Sequence, residues 1–197
     1  MIIVGLGNPV AEYENTRHNT GAFLVENFRR YAGFPDWQEN KKKKSLTSEG
    51  KAGKEKILLL LPGTFMNKSG EAVKGLIISP KKAEALVVVH DDLDLPLGRF
   101  KISFNKSAGG HRGVASISKM LKTDGFVRVR VGISSAGAKG KVKKPAGEKA
   151  VIEHILGKFK PAELAALNKL SKKTNEALQM IITLGREMAM GEFNKIS

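Results

Sequence analysis

At 197 residues, 41% of them hydrophobic and 6% aromatic, the chain has material for one well-buried core and too little length for two. A single domain over residues 1–197 is expected, and intrinsic disorder is excluded. The absence of cysteine excludes disulfides, thiolate metal sites and thiol nucleophiles, and fits a reducing compartment. Thirty-four Lys and Arg against 19 Asp and Glu leave a net charge of +15, a positive field that attracts polyanions, nucleic acid first among them.

In chain order, Met1 to Leu6 is a β-branched apolar run ending in Gly-Leu-Gly-Asn-Pro, which predicts a buried strand meeting a tight loop. The same opening carries neither a basic leader nor a small-residue cleavage site, and no apolar run is long enough for a membrane span, so a cytoplasmic location is expected. Apolar residues at Ala22, Phe23, Val25, Phe28 and Tyr31 predict a first helix over 19–31. The run Lys41–Lys44 leads into a hairpin of 45–49 and 56–61, turned by Gly50-Lys51-Ala52-Gly53. A helical pattern over 66–78 precedes a continuous apolar strand over 86–89 and an alternating strand over 99–104. A helix over 111–121 is followed by a strand over 126–133, in which Arg128 and Arg130 alternate with valines and share one face. Residues 134–147, rich in Gly, Ala, Ser and Lys, predict a mobile basic loop, and Pro161 opens a long helix running to about Met190. This interleaving predicts an α/β fold, a three-layer sandwich with a mixed, largely parallel central sheet flanked by helices. Its ligands should gather at the strand ends after Val4, Leu61 and Val89.

Several segments carry chemistry. Gly5-Leu6-Gly7 is half of a dinucleotide-binding fingerprint, but Val10 stands at the third glycine position and Pro9 breaks the approach to the helix. His18 sits at the junction of the first loop and the first helix, where a lone imidazole serves as a cap or surface residue unless an orienting partner and a substrate path make it a base. Asp91, Asp92 and Asp94 follow the strand 86–89; they suit the orientation of an imidazole, a magnesium site or a loop of N-capping acids, and the cluster alone does not separate these. Asn8, Asn19 and Asn67 are amides at loop positions, able to donate to a carbonyl oxygen without adding charge. Ser107 to Gly113 is a glycine-rich loop opening a helix, a place for backbone amides to meet an anion or carbonyl. No Gly-x-Ser-x-Gly and no His-Glu-x-x-His occurs, which leaves hydrolysis by histidine and water.

Taken together, Gly5-Leu6-Gly7-Asn8-Pro9 with Tyr13 and Thr16-Arg17-His18-Asn19, then Thr64 to Gly70, His90 to Pro96, Gly109-Gly110-His111, and Ala189-Met190 with Phe193-Asn194, resemble the bacterial-type peptidyl-tRNA hydrolase family in chain order. The resemblance implies a cytoplasmic, monomeric enzyme without cofactor or metal, which cuts the ester between a peptide and the 3′ end of its tRNA and so recycles tRNA from prematurely released peptidyl-tRNA. It implies that His18 is the general base and Asp91 its orienting carboxylate, with Asn8 and Asn67 at the peptide carbonyl and its oxyanion. It assigns Tyr13, Phe65, His111 and Arg112 to the substrate cleft. Arg130 would meet the tRNA 5′ phosphate, with Arg99, Lys101 or Arg128 as its basic neighbour. A non-catalytic RNA-binding relative is the alternative. The sequence departs from the family's pattern at Val10 (usually Gly), Gly191 (usually Asn) and Arg112 (usually Asn), and the last exchanges an amide for a donor-only cation in the cleft.

Overall fold

The computed structural model describes residues 1–137 and 142–195. One sheet, in the order β2-β3-β4-β1-β5-β7-β6, organises the chain. Its strands are β1 (Ile2–Gly5), β2 (Gln38–Asn40), β3 (Ser45–Ala52), β4 (Glu55–Pro62), β5 (Leu86–Pro96), β6 (Phe100–Phe104) and β7 (Val127–Ala136), with β8 (Val142–Lys143) paired to the end of β7. The central strands β4, β1, β5 and β7 are parallel, while β2, β3, β6 and β8 join antiparallel. Parallel strands covered on both faces need apolar side chains on both, and Ile3, Val4, Val87, Val88 and Val89 are all buried. Each such residue contributes about 1.5–3 kcal/mol relative to exposure.

One layer is formed by α1 (Thr20–Tyr31), α6 (Pro161–Leu184) and α7 (Arg186–Phe193), and the other by the four-residue α2 (Gly70–Val73) and by α4 (Arg112–Leu121). The short α3 (Pro80–Ala83) leads into β5, and α5 (Glu148–Leu156) follows β8. At the edge, Asn194 accepts from Ile102 N and donates to Ile102 O, both at 2.9 Å, so the end of α7 satisfies the outer backbone of β6.

Several elements differ from the sequence reading. The expected helix over 66–78 is a 3-10 turn, Met66–Lys68, followed by α2. Gly70 packs so close to α4 that a Cβ there would stand 2.3 Å from Ser116 O, and Gly75, at φ +77°, lies beyond the helix end. The strand expected to end at Val89 continues to Pro96, because β7 pairs with its polar half across a register shift. The long C-terminal helix breaks at Gly185, φ +90°. Within the expected basic loop, residues up to Ala136 and from Val142 to Lys143 form the β7–β8 hairpin, and 138–141 lie outside the described residues. Tyr31, expected on the buried face of α1, is exposed, and Leu24 takes its place in the core.

Candidate active site

The loops after β1 and β4 and the polar half of β5 meet in a cleft of about 860 Å³, lined among others by Asn8, Tyr13, His18, Phe65, Asn67, Asp91, His111 and Arg112. What lets His18 reach it is the approach of α1 to the sheet. A Cβ on Gly21 would stand 2.1 Å from Val89 O and 2.6 Å from Leu6 N, so only glycine permits the crossing. Leu6 N donates to Val89 O, Ala22 N donates to Leu6 O, and the 3-10 turn Arg17–Asn19 then delivers His18 onto β5.

The chemistry centres on Asp91, 3% exposed. His18 Nδ1 lies 3.0 and 3.1 Å from its two carboxylate oxygens, and His111 Nε2 lies 2.9 Å from Oδ1. The hydrogen bonds assign both tautomers. His111 Nδ1 accepts from Gly113 N and Val114 N as the N-cap of α4, so its proton is on Nε2 and points at Asp91. His18 donates from Nδ1, which leaves Nε2 as the lone-pair nitrogen of a ring that lines the cleft. Burial pushes the Asp91 carboxyl up, but the two imidazoles outweigh it and hold the group well below the usual carboxylate range.

Beside this triplet, the buried His90 donates from Nδ1 to Asp91 O at 2.7 Å and meets His111 edge-on at 4.8 Å. Burial, and then the facing His111, push its pKa down to about 3, so this ring is neutral at working pH.

Asn8 braces the site. Its side-chain Oδ1 accepts from Met66 N at 2.9 Å, its backbone N donates to Asn19 Oδ1 at 2.8 Å, and its carbonyl accepts from Asn19 Nδ2 at 3.0 Å. The loops after β1 and β4 are thereby tied to the start of α1, and the Asn8 Nδ2 donors are left to the cleft. Asn67 follows Met66, the partner of Asn8, and is exposed on the cleft lining near Phe65, itself 53% exposed.

The three carboxylates after Val89 do not converge. Asp91 turns to the imidazoles, Asp92 accepts from Arg130 Nε at 2.6 Å, and Asp94 pairs with Lys144. Among the described residues, the atoms closest to a metal cage are those of His18, Asp91 and His111, within 4.8 Å of one another. A cation at His111 Nε2 would displace its only proton while Nδ1 accepts from two amides, leaving an imidazolate, so the donor set fits a hydrogen-bonded triplet better than a metal.

Of the basic residues, Lys101 lies directly opposite Arg130 in the β6–β7 ladder, so the two side chains share a face, and both Lys101 and Arg99 are exposed. Arg128 shares that face, but as a surface neighbour it is corrected. It is 1% exposed, donates to Asp124 at 3.0 Å and lies 4.4 Å over the Phe126 ring, so its guanidinium is committed to the interior. Arg112 pairs at 3.1 Å with Glu148, and both line the cleft.

Sequence reasoning missed the far wall. Val151, Ile152, Ile155 and Leu156 of α5 close the cleft with an apolar stripe, on a helix that has no buried residue. The spacing i, i+1, i+4, i+5 was its available signal.

Comparison with known proteins agrees along the whole chain. The family model described as peptidyl-tRNA hydrolase matches residues 2–197. The chain is 40% identical over 194 residues to the peptidyl-tRNA hydrolase of Thermoanaerobacter sp. (strain X514), covering 98% of each, and 41% identical over 195 residues to that of Carboxydothermus hydrogenoformans, again covering 98% of each. The crystal structure of peptidyl-tRNA hydrolase from Acinetobacter baumannii superposes with a TM-score of 0.85 at 28% identity, over 98% of this chain and 93% of that one.

Proposed function

We propose that His18 is the general base of this chain, which belongs to the peptidyl-tRNA hydrolase family and is an ester hydrolase acting on peptidyl-tRNA, and that it works on water without a metal. The observation that carries this is the tautomer lock: Asp91 holds the Nδ1 proton of His18, so Nε2 presents a lone pair to the cleft. Water loses a proton to Nε2 as its oxygen bonds to the ester carbonyl carbon. The oxyanion that forms meets the amide donors of Asn8 and Asn67, together with backbone N–H groups of the glycine loop. Collapse breaks the bond to the terminal ribose oxygen, which takes the proton back from His18. The products are a peptide carboxylic acid, which releases its remaining water proton to solvent to become the carboxylate, and a tRNA restored for reuse.

Tyr13, Phe65 and the α5 stripe form the walls that hold the acyl end, and Arg112 stands at the mouth of the cleft. Arg130 and Lys101, side by side on the sheet, receive the tRNA 5′ phosphate, with Arg99 along the same face. A phosphate contact away from the ester selects tRNA by its end and leaves the peptide sequence unread. The lack of cysteine fits action in the cytoplasm. Among the described residues no helix is long and apolar enough to cross a membrane. A monomer is the state that the family likeness implies.

The test is hydrolysis of purified peptidyl-tRNA with EDTA throughout, wild type against His18→Ala. Cleavage by the wild type, with a loss of at least about a hundredfold in the variant, is expected. Near-normal turnover by His18→Ala would remove this residue from the mechanism, and binding without cleavage by both proteins would favour the RNA-binding alternative.

A further inference from the structure

We infer that Arg17 is a positioning residue, which fastens the apolar wall of the cleft to the turn that carries His18. The inference rests on the reading of His18 and the α5 wall given above.

Arg17 is 8% exposed and adjacent in sequence to the base, yet its side chain turns away from the cleft chemistry. Nη1 lies 3.4, 3.2 and 3.3 Å from the carbonyl oxygens of His154, Gly157 and Lys158, which are the end of α5 and the two residues that follow it. Nη2 donates to Glu163 Oε2 at 2.7 Å, and the same oxygen accepts from Lys160 N at the start of α6. The guanidinium also stands 5.3 Å over the Phe159 ring. The backbone repeats the connection: Arg17 N donates to Gly157 O at 3.1 Å, Phe159 N donates to Asn15 O at 2.9 Å, and Thr16 bridges Lys158.

A helix ends with carbonyls that lack partners and carry partial negative charge, and a buried cation with forked donors complements both. The arrangement matters because, among the described residues, α5 has few other ties. It buries no residue, its N-terminal end is tied by the exposed Arg112–Glu148 pair, and near its other end His154 Nε2 donates to Ile133 O at 3.0 Å. Gly157 leaves the room required, since a Cβ there would stand 3.0 Å from Arg17 Nη1. Asp91, not Arg17, orients the His18 ring, so losing Arg17 should loosen the wall and spare the base. The consequence falls on substrate binding, and the chemical step is left nearly intact.

Two measurements test this: steady-state kinetics on peptidyl-tRNA, and amide hydrogen exchange over residues 148–156 in the absence of substrate. For Arg17→Met, KM should rise about tenfold with kcat within about threefold of wild type, the scale of losing several charge-assisted hydrogen bonds on a binding wall. Exchange should quicken over 148–156 and stay unchanged in β1 and β5. Arg17→Lys, which keeps the charge and loses the fork, should restore part of the KM. Gly157→Ala, which crowds the guanidinium while keeping Arg17, should shift KM and exchange the same way, and it decides the question alone where Arg17→Met does not fold. Wild-type KM and exchange in these variants would overturn the inference. So would a large fall in kcat at constant KM, or exchange that quickens everywhere in step with lost activity. Because exchange is read without turnover, a failure of the His18 mechanism would not be mistaken for a failure here.

Discussion

His111 Nε2 and Asp91 Oδ1 lie 2.9 Å apart, so one buried carboxylate receives an N–H from each of two imidazoles whose rings stand 4.9 Å apart. The histidines do different work. His111 is fixed by the first amides of α4 and serves as a second clamp on Asp91, whereas His18, bound to Asp91 through Nδ1, keeps its Nε2 lone pair in a ring that lines the cleft.

Asp91→Asn should therefore preserve the shape of the site and lose its tautomer control. An amide can donate to His18 Nδ1 and force the proton onto Nε2, where it blocks the base. A fall in kcat of about 10²–10⁴ at little-changed KM is expected, following the behaviour of triads with the same substitution. Steady-state kinetics decides it, and a loss confined to KM would contradict the assignment.

His111→Ala removes the second clamp and an N-cap together. A stability loss of about 1 kcal/mol, the usual worth of a cap, should accompany a smaller fall in kcat than that of Asp91→Asn. Urea denaturation beside kinetics separates the two effects, and an equal or larger kcat loss would give His111 a direct part in the chemistry.

The buried His90 makes stability depend on pH in one direction. Its folded pKa of about 3 lies below the ordinary 6.5, so between those values the unfolded chain holds a proton that the folded chain refuses. Stability from this group is complete above pH 6.5 and falls as pH drops toward 3. Asp91, depressed from 3.8, adds to the loss only at more acidic pH. His90→Asn keeps a donor for Asp91 O, and should show a flatter fall in urea midpoint between pH 7.5 and 5 than wild type. Parallel slopes would clear His90 of the effect.

Much of this site was legible before the fold was. The apolar runs of β1, β4, β5 and β7 and the stripes of α1, α4 and α6 carry their periodicity openly, because burial on one or both faces dictates it. The polar continuation of β5 was not legible. His90, Asp91 and Asp92 look like loop residues, and only the neighbouring β7 holds them in a strand. The helix over 66–78 failed for a related reason: Met66, Val73 and Ile77 share a core at helical spacing, while the contact of Gly70 with α4 and the turn at Gly75 shorten the helix itself. At the site, Asp91 as a carboxylate near a histidine was readable, but which of three carboxylates faced inward was a matter of strand parity. The burial of Arg128 was likewise invisible, since its alternation with Arg130 is the same for an exposed cation and for one over Phe126.

Lys101, opposite Arg130, gives the proposed tRNA contact a clean probe, because Arg130 is already engaged by Asp92. Lys101→Ala should reduce the slope of log(kcat/KM) against log salt by about one, the value for a single phosphate contact, and weaken full-length peptidyl-tRNA. A minimal substrate that keeps the ester and lacks the 5′ end should be unaffected. Equal loss on both substrates would place Lys101 elsewhere in the reaction.

The Arg112–Glu148 pair is exposed on both sides, so Arg112→Asn should leave stability within about 0.5 kcal/mol of wild type. Its effect belongs in KM, through the N-terminal end of α5 and the amide it restores to the cleft. Thermal melts and kinetics on substrates differing in the last peptide residue measure both, and a change in kcat alone would put Arg112 nearer the ester than its place at the mouth suggests.

The bracing of Asn8 has a consequence for how freely the chain can vary. The side chain must accept from Met66 N at one end and still offer hydrogen to the cleft at the other, at a fixed distance from a backbone locked to Asn19. Aspartate keeps the acceptor and has nothing to donate, glutamine adds a methylene that displaces both ends, and serine is too short to span them. Position 8 is a word without a synonym: the tie between two loops and the donor left to the cleft are spelled by the same four atoms.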